Sequence, residues 1–171
     1  YKRQSQVVAS AIGSLSGPLH GGANEKVIAM LQKIESKEEI RPWLDETLKA
    51  KNVVWGMGHR EYSVKDPRAN ILTDMVQELF DEREGGVTDI FEKAIELEKA
   101  CEEKLSHKGV YPNVDFCSGI LYKEMDIPTD IFTPIFAMSR VSGWLAHWIE
   151  QIQDNKTVSY THLTLPTSND V

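Results

Sequence analysis

The sequence predicts an all-α fold on three observations. Apolar residues recur at helical spacing along most of the chain, and helix-start and helix-stop residues bracket those runs. The one extended-looking stretch, Asn52 to Trp55, is too short to anchor a sheet. At 171 residues the chain can bury one good hydrophobic core or form two small domains sharing a cleft.

Taken in order, Ala23 to Ile34 places Val27, Met30, Leu31 and Ile34 on one face. Leu44, Thr47 and Leu48 begin the next stripe. That helix starts either at Pro42, at a first helical position, or a few residues earlier behind a Ser36/Glu39 capping box. Asp66-Pro67 supplies a cap followed by a first-turn proline, and Leu72, Met75, Val76, Leu79 and Phe80 make the stripe that follows. Gly85-Gly86 ends it. From Thr88 to His107 a helix turns Ile90, Ala94, Leu97, Cys101 and Leu105 inward, and Gly109 stops it. Phe116 to Met125 is the next helix. Thr129 to Gln153 reads as two helices broken near Ser142-Gly143. Residues 157–171 have no helical period, are rich in Thr and Ser, and read as a non-native adapter-derived tail, against a natural disordered tail.

Composition narrows the function classes. A hydrophobic share of 41% with 26% charged residues is that of an ordinary soluble globular protein, and no apolar run approaches the roughly 18 residues of a membrane span. A net charge of -7 argues against a nucleic-acid groove, so anionic ligands must be met by a few placed arginines. Cys101 and Cys117 form no CxxC pair, which suits reduced intracellular thiols and makes a structural zinc site improbable. No signal peptide is visible, and the expected compartment is the cytoplasm.

Four loop-to-helix junctions concentrate the chemistry. In Gly17-Pro18-Leu19-His20-Gly21-Gly22-Ala23-Asn24-Glu25, His20 precedes a helix whose positive end disfavours imidazolium, so it is either a neutral hydrogen-bond donor or a structural turn histidine. In Val53-Val54-Trp55-Gly56-Met57-Gly58-His59-Arg60-Glu61, Glu61 replaces the third glycine of a dinucleotide fingerprint and no crossover unit surrounds it. That loop, running on to Arg68, is read as a wall for an anionic ligand, against a structural ion pair at Arg68 and a satisfied loop histidine at His59. In Tyr111-Pro112-Asn113-Val114-Asp115-Phe116, Asp115 is either a general base whose pKa burial raises or simply the cap of a helix beginning at Phe116. Arg140 lies on an apolar helical segment, where it is costly to bury unless it meets an anion. Two histidines, a carboxylate and two arginines suit proton abstraction beside a carbonyl, with an arginine clamp on a carboxylate-bearing partner.

PLHGGANE, GMGHREY followed by DPR, YPNVDF with SG, and the Arg140-to-Gln151 segment containing GW and AHWIEQ resemble, in order and spacing, the motifs of the citrate synthase family. The likeness runs from about Gly13 to Gln153 and identifies the chain as the catalytic C-terminal half, truncated at both ends. The resemblance implies a helical fold with residues 1–20 and 120–156 in a large domain and 21–119 in a small domain that closes over it. It also implies condensation of acetyl-CoA with oxaloacetate and hydrolysis of citryl-CoA, in a homodimer or higher oligomer. Acetyl-CoA is then a co-substrate, with no tightly bound cofactor, metal, nucleic acid or membrane partner. Asp115 would be the base, His20 would hydrogen-bond the thioester oxygen, His59 would protonate the oxaloacetate carbonyl, and Arg68 and Arg140 would hold carboxylates. Val53, Val54, Trp55, Gly56, Met57 and Gly58 correspond to the segment that wraps the CoA adenine, with Lys65 the basic residue near the phosphate position that Ser63 occupies. Cys117 stands where an aromatic residue is common. The chain by itself is expected to be inactive. The rival expectations are 2-methylcitrate synthase, a citryl-CoA lyase-like domain, and a non-catalytic helical domain that binds CoA or a protein.

Overall fold

The computed structural model describes residues 2–16, 22–59, 64–82 and 86–153. Among the described residues seven α-helices run in order: α1 (Lys2–Leu15), α2 (Ala23–Gln32), α3 (Ile40–Lys49), α4 (Pro67–Glu82), α5 (Asp89–Leu105), α6 (Val114–Glu124) and α7 (Phe132–Gln153). Short 3-10 turns at Lys37–Glu39, Ser106–Lys108 and Thr129–Ile131 lead into or out of them. Among the described residues there is no strand, only one isolated bridge between Met57 and Pro112. No described helix is long and apolar enough to cross a membrane.

The chain divides into two compact units, one comprising Leu19–Pro134 and the other Tyr1–Pro18 with Ile135–Val171. The first holds the main core. There α6 packs against α2 and α4, and α5 against α3. Val27, Leu31, Ile40, Leu44, Leu97, Cys101 and Phe116 are closed off from solvent at that junction. Burying each side chain of leucine or phenylalanine size contributes about 1.5–3 kcal/mol. Helices α2 and α6 approach so closely that a Cβ on Gly119 would stand 2.8 Å from the Asn24 carbonyl oxygen. On the solvent side Arg41 of α3 holds Glu96 and Glu103 of α5, each at 2.6 Å, and Lys104 pairs with Asp45. Exposed pairs of this kind add little stability singly, but they fix the register of α3 against α5.

Several boundaries differ from the sequence expectations. Helix α3 begins at Ile40, with Pro42 as its third residue, behind a 3-10 turn; Ser36 precedes that turn without a side-chain capping bond. Met75 was expected inward but is 46% exposed, because Ala69, Val76 and Phe80 take the core-facing side of α4. The expected break at Ser142-Gly143 is absent: α7 runs unbroken through both. A single interior glycine costs only about 1 kcal/mol, which a run of helix-forming neighbours absorbs. Helix α1, which the periodicity did not single out, spans 14 residues with no acidic residue in its first turn and no basic one in its last. Residues 154–171, and with them the whole of the expected non-native tail at 157–171, lie outside the described residues.

Candidate active site

The loop after α3 enters the core through Val54, turns at Trp55-Gly56, and reaches His59. Gly56 has φ +81°, and a Cβ there would meet the Phe116 Cβ at 2.7 Å and the Val27 Cγ2 at 2.8 Å. Conformation and space therefore both demand glycine. Gly58 also has a positive φ, +82°, but its nearest neighbour, the Val110 Cγ1, would lie at an ordinary 3.7 Å. Trp55 is half-buried with the Lys26 ammonium 4.1 Å from its ring centre.

This loop is fastened to the segment before α6. The Gly58 N–H donates to the Tyr111 carbonyl at 2.8 Å, and the Asn113 N–H donates to the Gly56 carbonyl at 2.9 Å. The Asn113 side-chain amide donates to the Gly58 carbonyl at 2.8 Å. Its carbonyl oxygen accepts from the backbone N–H groups of Asp115 and Phe116, at 2.9 and 3.3 Å. Asn113 is thus the N-cap of α6, which begins at Val114. The reading of Asp115 as the cap is corrected: it lies in the first helical turn, half-buried, its own N–H satisfied by Asn113. A carboxylate there is favoured by the positive end of the helix.

A second anchor leads into α4. Asp66 is almost wholly buried, and its carboxylate accepts from the Arg68 backbone N–H at 2.9 Å and from the Arg68 guanidinium Nη2 at 2.7 Å. The guanidinium bonds hold the Asp66 carboxyl below its usual range; burial opposes them, and the Arg68 N–H, its charge and that of His59 add to the lowering. His59 is therefore within electrostatic reach of the Asp66–Arg68 pair. Arg68 keeps about half its side chain open, at 51% exposure. Lys65 pairs with Glu98 of α5 at 2.6 Å. Burial works against the Lys65 charge, but that hydrogen bond and the Glu98 carboxylate outweigh it, and its pKa is raised.

Of the residues singled out in the sequence, His59, Arg68, Asp115, Lys65 and the 53–58 loop all lie within the unit Leu19–Pro134. Val53 is exposed, whereas Val54 and Gly56 are buried. Arg140 belongs to the other unit, half-buried, with its guanidinium carbon 5.2 Å from the Phe136 ring centre. His20 lies outside the described residues. Sequence reasoning passed over three positions: Asn113 as the tie between two loops, Asp66 as the holder of Arg68, and Glu98 as the partner of Lys65. Asparagine two residues before Asp115 was a legible cap signal, and Asp66 stands only two residues before Arg68; the long-range partners Gly58 and Glu98 had none. Among the described residues no three His, Cys, Asp or Glu side chains converge on a metal position.

Residues 5–161 match the family model described as citrate synthase, C-terminal domain. A Synechocystis citrate synthase is 52% identical over 163 residues, covering 95% of this chain and 41% of the relative. The crystal structure of citrate synthase from Thermotoga maritima superposes with a TM-score of 0.77 at 41% identity, over 96% of this chain and 42% of that one. The Thermoplasma acidophilum enzyme, solved as a ternary complex with carboxymethyl coenzyme A and oxaloacetate, gives 0.77 at 37% identity, over 86% of this chain and 39% of that one. The chain thus spans about two-fifths of the length of these relatives.

Proposed function

This chain belongs to the citrate synthase family, and from that premise we propose that it carries the proton-abstracting and carbonyl-binding part of an enzyme making citrate from acetyl-CoA and oxaloacetate. Asp115 takes a proton from the acetyl methyl group, and His20 hydrogen-bonds the thioester oxygen as negative charge develops there. The enolate carbon attacks the ketone carbon of oxaloacetate while His59 gives its proton to the ketone oxygen. Water then hydrolyses the thioester of citryl-CoA, releasing citrate and CoA. Arg68, held by Asp66, and Arg140 take the carboxylates of oxaloacetate. Residues 53–58 lie along the CoA adenine, with Lys65 near its phosphates. The same reading takes the working protein to be a cytoplasmic homodimer or larger homo-oligomer.

The observation that carries the proposal is the fastening of the His59 loop to the start of α6, where Asp115 lies. Two groups of opposite proton-transfer duty, separated widely in sequence, are supported by one hydrogen-bonded frame. The test is CoA release from acetyl-CoA plus oxaloacetate by the product of the complete open reading frame, with Asp115→Ala in parallel. Turnover that collapses in the variant is expected. Preference for propionyl-CoA would move the reading to 2-methylcitrate synthesis, and a folded parent that binds CoA without turnover would replace it with a binding role.

A further inference from the structure

A helix N-cap needs only an acceptor, and Asn, Asp and Ser serve about equally well there. Asn113 does more than cap. Its carbonyl oxygen receives the N–H groups of Asp115 and Phe116, which leaves its NH2 pointing the other way, onto the Gly58 carbonyl. The opposite assignment of oxygen and nitrogen would set donor against donor at the helix and acceptor against acceptor at Gly58. That carbonyl belongs to the peptide whose nitrogen is His59's own. The preceding residue is a glycine at φ +82°, held on its N–H side by the Tyr111 carbonyl, so on its carbonyl side the peptide has few intrinsic restraints. One planar side-chain amide therefore spans from the peptide entering His59 to the N–H of Asp115.

We infer that Asn113 is a positioning residue that fixes His59 relative to Asp115 through the Gly58 carbonyl, a role distinct from its capping of α6. This rests on the citrate-forming reading above. The catalytic consequence is one of distance: displacement of a reacting group by about 1 Å can cost on the order of a hundredfold in rate. Asparagine combines the cap acceptor with a separate amide donor on the same rigid plane, whereas a serine hydroxyl, donor and acceptor in one atom, ends one bond nearer the backbone. Aspartate would keep the cap, favoured by the helix end, yet turn a carboxylate oxygen against the Gly58 carbonyl.

Asn113→Asp is the decisive variant, with Asn113→Ser as a second cap-retaining change. Both are made in the product of the complete open reading frame. For each, amide hydrogen exchange, thermal unfolding, kcat and KM are measured. The Gly58 N–H is bonded to the Tyr111 carbonyl, on the same residue that Asn113 holds through its carbonyl, so its exchange reports loosening of the loop. That exchange is expected to quicken by about tenfold or more, while the Phe116 amide stays protected because the cap survives. The melting temperature should fall by only a few degrees, kcat should drop by roughly 10- to 100-fold, and KM for oxaloacetate should change far less. Unchanged exchange at Gly58, or kcat equal to that of an active parent, would overturn the inference. A parent that turns nothing over would sink the condensation reading instead, and the exchange comparison, which needs no turnover, would still decide whether Asn113 fixes the loop.

Discussion

A Cβ atom on Gly56 would stand 2.7 Å from the Cβ of Phe116, closer than such atoms pack. The loop bearing His59 and the helix bearing Asp115 touch at this point with no spare volume. Gly56→Ala should therefore suffer twice, through the left-handed backbone and through the clash, for about 2–4 kcal/mol in total. Gly58→Ala meets only the backbone penalty, about 1–2 kcal/mol, since its neighbour lies at 3.7 Å. Chemical denaturation of the two variants should rank them in that order. Equal losses would mean that Phe116 can give way.

Asp66 links acid stability to the site. Its carboxyl is held below the usual range by the Arg68 guanidinium, so its contribution is fully present above the unfolded value of about 4. That contribution drains away as pH falls through the lowered folded value. Asp66→Asn should unfold at lower denaturant than the parent near pH 7, with the gap closing toward pH 3. On the proposed reading it should also raise KM for oxaloacetate several-fold by loosening Arg68. A gap that widens in acid would contradict this assignment.

Burial pushes the thiol of Cys117 up to about 11 and that of Cys101 up to about 12. Both are enclosed in the α5–α6 core. A disulfide reagent at pH 8 should label the native protein at least about a hundredfold more slowly than the denatured chain, in which thiols titrate near 8.5. Rapid native labelling of either residue would show that the core opens readily.

Thr88 caps α5 by accepting from the Phe91 N–H at 3.2 Å, and its hydroxyl donates to the buried Glu124 of α6. Thr88→Ala should cost about 1–2 kcal/mol, and Thr88→Ser should recover most of it. If serine fails to rescue, the threonine methyl, and not the hydroxyl, holds the two helices together.

These dependencies mark what a sequence can disclose. Periodicity located α2, α5 and the inward faces at Val27, Leu31, Leu97 and Cys101, because helix-forming patterns are local. The Asp66-Pro67 start of α4 was legible for the same reason. Ser142-Gly143 misled because a glycine's local cost was weighed without the neighbours that outvote it. Asp115 lies in the first turn of α6 and not before it because Asn113 takes the cap first. The meetings of Asn113 with Gly58, and of Lys65 with Glu98, join residues far apart in the chain, and no local pattern encodes them.

The packing of α2 against α6 also sets a schedule for synthesis. Roughly 90 residues separate the starts of these two helices, so at a ribosomal rate of about 5–20 residues per second α2 waits on the order of ten seconds for its partner. Throughout that interval Val27, Ile28 and Leu31, all sealed in the finished core, face solvent or a chaperone. Most helical proteins close on near neighbours and avoid such a delay. Here the nascent chain is most vulnerable to aggregation between the emergence of α2 and that of α6, and slowing translation across that interval should lower the soluble yield.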